Sequence, residues 1–123
     1  MSIATHPRFA EQQRSDLVDA VLNKEDRREL KDALRTTRAS IERALSTKGK
    51  RLHDMRSGRF TFERNTGRLE ARLISKDGSV YAKLVATSKN GSWIGGSMQI
   101  GTPPRGLYEP ARFDPVTYFL TPG

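Results

Sequence analysis

The stretch Lys24–Arg59, KEDRRELKDALRTTRASIERALSTKGKRLHDMRSGR, decides how the rest of the chain is read. At 100° per residue, Leu30, Leu34, Thr37, Ile41, Ala44, Leu45, Leu52 and Met55 fall on one stripe of a helix. Arg27, Lys31, Arg35, Arg38 and Arg56 fall on a neighbouring stripe. Glu25, Asp26, Glu29 and Asp32 gather in the first turns, where the positive end of the helix dipole favours acids. The pattern predicts one long amphipathic helix. Asn23 and Asp26 stand at capping-box spacing before it. The pairs Arg28–Asp32 and Arg38–Glu42 stand four apart, where each ion pair contributes roughly 0.3–0.5 kcal/mol. Gly49 either ends this helix, as a glycine after a basic turn does, or sits inside it at a cost of about 1 kcal/mol.

Outward from the helix, the periodicity changes twice. Toward the N-terminus, Phe9, Gln13, Leu17, Ala20 and Val21 recur at helical spacing behind Pro7. A first helix is expected over Pro7–Leu22, closed by Asn23, so that residues 7–56 form a helical hairpin. Past Ser57–Gly58 the pattern alternates. Arg59–Arg64, Arg68–Ser75, Ser79–Thr87 and Ser92–Ile100 read as four strands joined by turns at Asn65–Gly67, Lys76–Gly78 and Ser88–Gly91. Residues 59–100 are therefore an antiparallel meander. One face carries Phe60, Phe62, Leu69, Leu73, Val80, Leu84, Ile94 and Met98, and should pack on the helices. The other carries Arg59, Arg68, Arg72, Tyr81, Lys83, Trp93 and Gln99.

Residues 101–123 differ in kind. Pro103, Pro104, Pro110 and Pro115 interrupt any central strand, because proline lacks the ladder donor. Val116–Leu120 can form a short edge strand, and Leu107, Tyr108, Phe113, Tyr118 and Phe119 require burial in the core or on a partner. The fold expected is one α+β domain: a helical hairpin on a four-stranded antiparallel meander, with an aromatic, proline-containing tail.

Charge bounds the function. The 123 residues hold 22 Lys and Arg against 14 Asp and Glu, a formal net charge of +8. Such a balance favours nucleic acid, an acidic partner or an anionic surface. The chain has no cysteine, so it has neither a disulfide framework nor a thiolate metal site. His6 and His53 lie far apart, and no metal or cofactor site is expected. Gly91, Gly95, Gly96 and Gly101 do not take the spacing of a phosphate-binding loop. No stretch resembles a signal peptide or approaches the roughly 20 apolar residues of a membrane span. The expectation is a cytoplasmic protein, or one inside a viral or phage particle or host cell, with no membrane partner.

The function expected is nucleic-acid binding through phosphates, with little sequence preference. The contacts assigned to it are Arg27, Lys31, Arg35, Arg38, Arg43, Lys48, Lys50, Arg51, Arg56, Arg59, Arg72 and Lys83, with Tyr81 and Trp93 for stacking. A helix over Lys24–Arg59 would reach roughly 50 Å, longer than a duplex turn of about 34 Å, which favours duplex RNA or DNA. A second reading is a coat, scaffold or connector subunit that homo-oligomerises through its tail. A third is a small metal-independent ribonuclease or RNA-cleaving toxin. His53, Glu63, Glu70, Arg72 and Tyr81 hold the residue types it needs, but no motif assigns any of them a catalytic role.

Overall fold

The computed structural model describes residues 26–106 and 109–123. The helix expected over Pro7–Leu22, its cap at Asn23 and the aromatic Tyr108 lie outside them. Helix α1 occupies residues 26–36 and α2 follows at Arg38–Ser46. A single 3₁₀ turn at Leu52–Asp54 leads into five strands: β1 Met55–Glu63, β2 Arg68–Ser75, β3 Tyr81–Lys89, β4 Ser92–Thr102 and β5 Arg112–Leu120. They form one antiparallel sheet in the order β1-β2-β3-β4-β5. The class is α+β.

The long helix to Arg59 does not form. Residues 26–46 span roughly 31 Å at 1.5 Å per residue. Gly49 ends the helix in the left-handed region, at φ 68°. The Lys50 N–H reaches the Leu45 carbonyl at 3.1 Å and the Gly49 N–H reaches Ser46 at 3.0 Å, the paired bonds of a Schellman ending. Met55, Arg56 and Arg59, expected on the helix, belong to β1. The run Arg51–Arg59 holds no proline and few apolar residues, so a helical period and a strand period fit it equally well. The helix is also interrupted at Thr37, whose hydroxyl donates to the Ala33 carbonyl at 2.8 Å, a back-bond that bends helices. Arg28–Asp32 and Arg38–Glu42 are not the pairs formed. Asp32 takes Arg35, and Glu42 accepts the Leu52 N–H beside Arg51.

The sheet buries one face. Leu69, Ala71 and Leu73 of β2, Ala82, Leu84 and Ala86 of β3, and Met98 and Ile100 of β4 meet Leu30, Ala33, Ile41, Ala44 and Leu45 of the helices. Helix α2 lies over β4 and β5, while α1 flanks β1. The alternation expected for β2 and β3 is present, and Asn90 and Gly91, at φ 53° and 79°, form the two-residue hairpin turn that joins β3 to β4.

Strand β4 corrects the sequence reading. Thr87 pairs with Gly95 but Ser88 pairs with Trp93, so Ile94 is an extra residue. A bulge of this kind reverses which side chains face the core. Trp93, expected on the open face, is buried against Phe62 at a ring separation of 5.9 Å. Ile94, expected in the core, is 56% exposed. The meander has five strands and not four. The short edge strand expected at Val116–Leu120 extends back to Arg112, and Pro115 is tolerated because β5 is an edge.

Two long-range ties hold the layers. The Ser40 hydroxyl accepts the Thr121 N–H at 3.0 Å, and the Gly123 N–H donates to the Thr36 carbonyl at 3.1 Å, beside the helix break. Asp77, in the β2–β3 turn, meets Lys50 at 2.5 Å and accepts from the Ser75 and Ser79 hydroxyls. The Lys50 ammonium, then these hydroxyls and the Ser79 N–H, hold the Asp77 carboxyl well below the usual carboxylate range.

Two predictions follow from this packing. A Cβ at Gly96 would lie 2.0 Å from the Val85 carbonyl oxygen, whereas one at Gly106 would meet nothing within 4 Å. Gly96→Ala should therefore lower stability in denaturant titration by about 1–3 kcal/mol, and Gly106→Ala should change it by less than about 0.5 kcal/mol. Asp77 is depressed in the folded state, so its stabilisation is complete above its ordinary pKa of about 3.9 and is lost as pH falls below it. The melting-temperature advantage of wild type over Asp77→Asn should shrink between pH ~5 and pH ~3. A gap that stays constant across this range contradicts the assignment.

Candidate nucleic-acid interface

The face of the sheet away from the helices is built by register. Four rows cross it: Arg56, Ile74, Tyr81, Gly101 and Phe113; then Arg72, Lys83, Gln99 and Thr117; then Thr61, Glu70, Val85, Ser97 and Phe119; then Glu63, Arg68, Thr87 and Gly95. Arg59 joins the second row from a bulge. The register shift between Ser57 and Phe60 sets Gly58 and Arg59 against Arg72. Adjacent strands lie about 4.8 Å apart and alternate positions along a strand about 6.8 Å apart, so the rows form a shallow grid.

Glu70 organises the charge on this grid. Its carboxylate accepts from Arg72 at 3.1 Å, with Lys83 at 3.5 Å and Arg68 at 3.7 Å. Burial pushes its pKa up, but Arg72 and Lys83 together outweigh burial and hold it below the usual carboxylate range. Glu70 is thus an ionised hub with three cations gathered round it, and it is a poor proton donor near neutral pH. Arg59, Phe60, Thr61, Glu70 and Arg72 line a depression of about 200 Å³ at the β1–β2 side. Toward β5, Tyr81 and Phe113 stack with centroids 5.9 Å apart and planes tilted by 30°. Phe119 stands 79% exposed.

The residues assigned from sequence divide between two surfaces and a set of ties. Arg56, Arg59, Arg72, Lys83 and Tyr81 share the open sheet face. Arg27, Lys31, Arg35, Arg38 and Arg43 are exposed on the helices, across the sheet from that face. Arg35 pairs with Asp32, and Arg43 reaches the Ser40 hydroxyl at 3.4 Å. The remaining three are engaged in ion pairs within the chain. Lys48 meets Asp114 at 2.7 Å, which raises the Lys48 pKa through that hydrogen bond. Lys50 meets Asp77, and Arg51 lies 3.7 Å from Glu42. Trp93 belongs to the core and offers no surface for stacking.

Phe113 and Phe119 are the aromatics that the sequence reading did not place on the open face, although Phe119 lay within the edge strand expected at Val116–Leu120. Their signal was the alternation Phe113, Thr117, Phe119, masked by Pro115 and by the irregular pairing that separates Gln99 from Gly101. Of the residue types a ribonuclease needs, Glu63, Glu70, Arg72 and Tyr81 lie on the open face, and His53 does not join them. His53 precedes β1 and lies 3.3 Å from Asp54. The position opposite Glu70 is Thr61, eight residues further along the chain and on the order of 20 Å away. Among the described residues no group of acids and histidines could hold a metal ion, and no helix is long and apolar enough to cross a membrane. The chain matches no family model, no curated protein and no solved structure, so the reading of this surface rests on its own residues.

Proposed function

We propose that the protein binds single-stranded nucleic acid on the open face of its sheet, through phosphates and stacked bases, with little sequence preference. The observation that carries this reading is the juxtaposition of cations and aromatics on one surface that the described residues leave uncovered. Arg56, Arg59, Arg68, Arg72 and Lys83 face two acids, Glu63 and Glu70, and lie beside Tyr81, Phe113 and Phe119. Arginine forks and ammonium groups neutralise the backbone, and aromatic faces accept bases whatever their identity. A duplex presents no free base faces to such a sheet. The argument for a duplex depended on a helix of about 50 Å running to Arg59, and the described helical segment ends at Ser46 and is shorter than one duplex turn.

A second reading, a self-assembling subunit, is favoured by the outer edge of β5, which has no strand partner among the described residues. Val116 is 49% exposed there and Phe119 protrudes beside it. An edge with exposed apolar residues is a template for pairing with a further strand.

Fluorescence anisotropy with an unstructured oligonucleotide, titrated across salt, tests the binding reading. With three to five phosphates neutralised, log affinity should fall against log salt with a slope of about −2 to −3.5. Arg56→Gln combined with Arg59→Gln and Phe119→Ser should weaken binding roughly tenfold or more, since stacking alone contributes about 1–3 kcal/mol per base. Arg35→Gln with Arg38→Gln and Arg43→Gln should weaken it less. The opposite order would move the site to the helices. For assembly the measurement is light scattering: Val116→Lys should dissociate any oligomer built on the β5 edge. A wild type that is monomeric at high concentration removes that reading.

A further inference from the structure

The open face does not end at β1. Among the described residues the outer edge of β1 has no strand partner, and α1 lies beyond it. Between them is a groove of about 240 Å³ lined by Arg27, Leu30, Lys31 and Leu34 of α1 and by Ser57, Gly58 and Phe60 of β1. Phe60 also lines the depression on the open face beside Arg59 and Arg72. The two concavities therefore share one lining residue, Phe60, and lie one on each side of the β1 edge. At the crossing point the edge carries only a serine and a glycine. Both Ser57 and Gly58 are exposed, as is Arg59 in the same bulge.

The charges at this crossing have one sign. Neither Arg27 nor Lys31 has an acid partner among the described residues, and the groove lining contains no carboxylate. The nearest acids on α1 are engaged elsewhere: Asp26 with Arg64 at 3.3 Å and Asp32 with Arg35. Glu29, half-buried on α1, is outside the lining. A narrow apolar floor between two cations fits a flat, uncharged ring carried on an anionic backbone. It is smaller than a pocket for a drug-sized ligand and admits one ring system only.

We propose that a single strand bound on the open face continues over the β1 edge at Ser57–Gly58 and seats one unpaired base in the α1–β1 groove, against Phe60 and Leu34. The phosphate on the sheet side meets Arg59, and the phosphates on the helix side meet Arg27 and Lys31. This extension rests on the sheet-face reading. It gives that site a defined exit, a longer footprint and a role for the two helix cations nearest the sheet.

The test is anisotropy with a series of oligothymidylates of increasing length, at fixed low salt, on the full chain. Wild-type affinity should rise with length until the strand spans both concavities and then level off. Arg27→Gln combined with Lys31→Gln should leave the shortest bound oligomers within twofold of wild type and weaken the longest at least fivefold. The salt slope for the long strands should fall by about 1.4, two phosphates at about 0.7 each. Phe60→Leu keeps an apolar side chain in the core. If thermal unfolding shows it folded, it should reproduce the length-dependent loss, and abasic substitution at the strand ends should reproduce it without any change to the protein. An equal loss at every length, or no loss at any, overturns the extension and leaves the sheet face standing. Failure of the wild type to bind any length overturns both.

Discussion

Everything in this molecule depends on the requirement that one face of a single sheet meet one stripe of a helix. Leu69, Ala71, Leu73, Ala82, Leu84, Ala86, Met98 and Ile100 turn the same way, and the helices supply Ile41, Ala44 and Leu45 to cover them. Burial of apolar area is the main favourable term in folding, and the described residues obtain it in one cluster between the helices and the sheet. Small residues at the contact, Ala33 and Ala44 on the helices and Ala71, Ala82 and Ala86 on the sheet, allow the layers to approach closely. The cost appears on the other side. With both helices committed to one face, the described residues leave the opposite face uncovered, and polar side chains must populate it.

That division also sorts the charge. The basic run that dominates the sequence does not act as a block. Lys48, Lys50 and Arg51 tie the end of α2 to β5, to the β2–β3 turn and to Glu42, so they hold the layers in register. Arg56 and Arg59 pass to the open face because β1 begins at Met55. Glu70 matters more than its single charge suggests. It gathers Arg72, Lys83 and Arg68 within 3.1–3.7 Å of one carboxylate. A polyanion meeting such a surface has less side-chain freedom to freeze than one meeting solvated lysines.

Strands β2 and β3 were legible because their alternation is regular and their turns carry glycine after Asp77 and after Asn90. The end of the helix was legible as one of two alternatives at Gly49, and backbone geometry selected between them. Three features were not legible, each for a physical reason. Strand β1 opens inside a stretch rich in arginine, where charge obscures period. Trp93 and Ile94 exchange faces because one inserted residue inverts an alternation that composition cannot locate. Strand β5 carries a proline that only an edge position tolerates, and edges are a property of the assembled sheet. The candidate site suffered from the same limit. Sequence shows how many cations a segment holds, but register decides that Arg72 and Lys83 share a surface and that Lys48 does not join them.

The bond between the Ser40 hydroxyl and the Thr121 backbone joins positions 81 apart, and the Thr36 carbonyl waits for Gly123. On a ribosome adding roughly 5–20 residues per second, that separation is about 4–16 s of synthesis. For most of that interval α2 has been made while β5, one of the two strands it lies over, has not. Its apolar stripe must stay on the growing sheet, or in the hands of a chaperone, until β5 arrives. The same tie that secures the finished helix at its weakest point therefore makes the nascent chain wait for its own downstream residues before the two layers can lock.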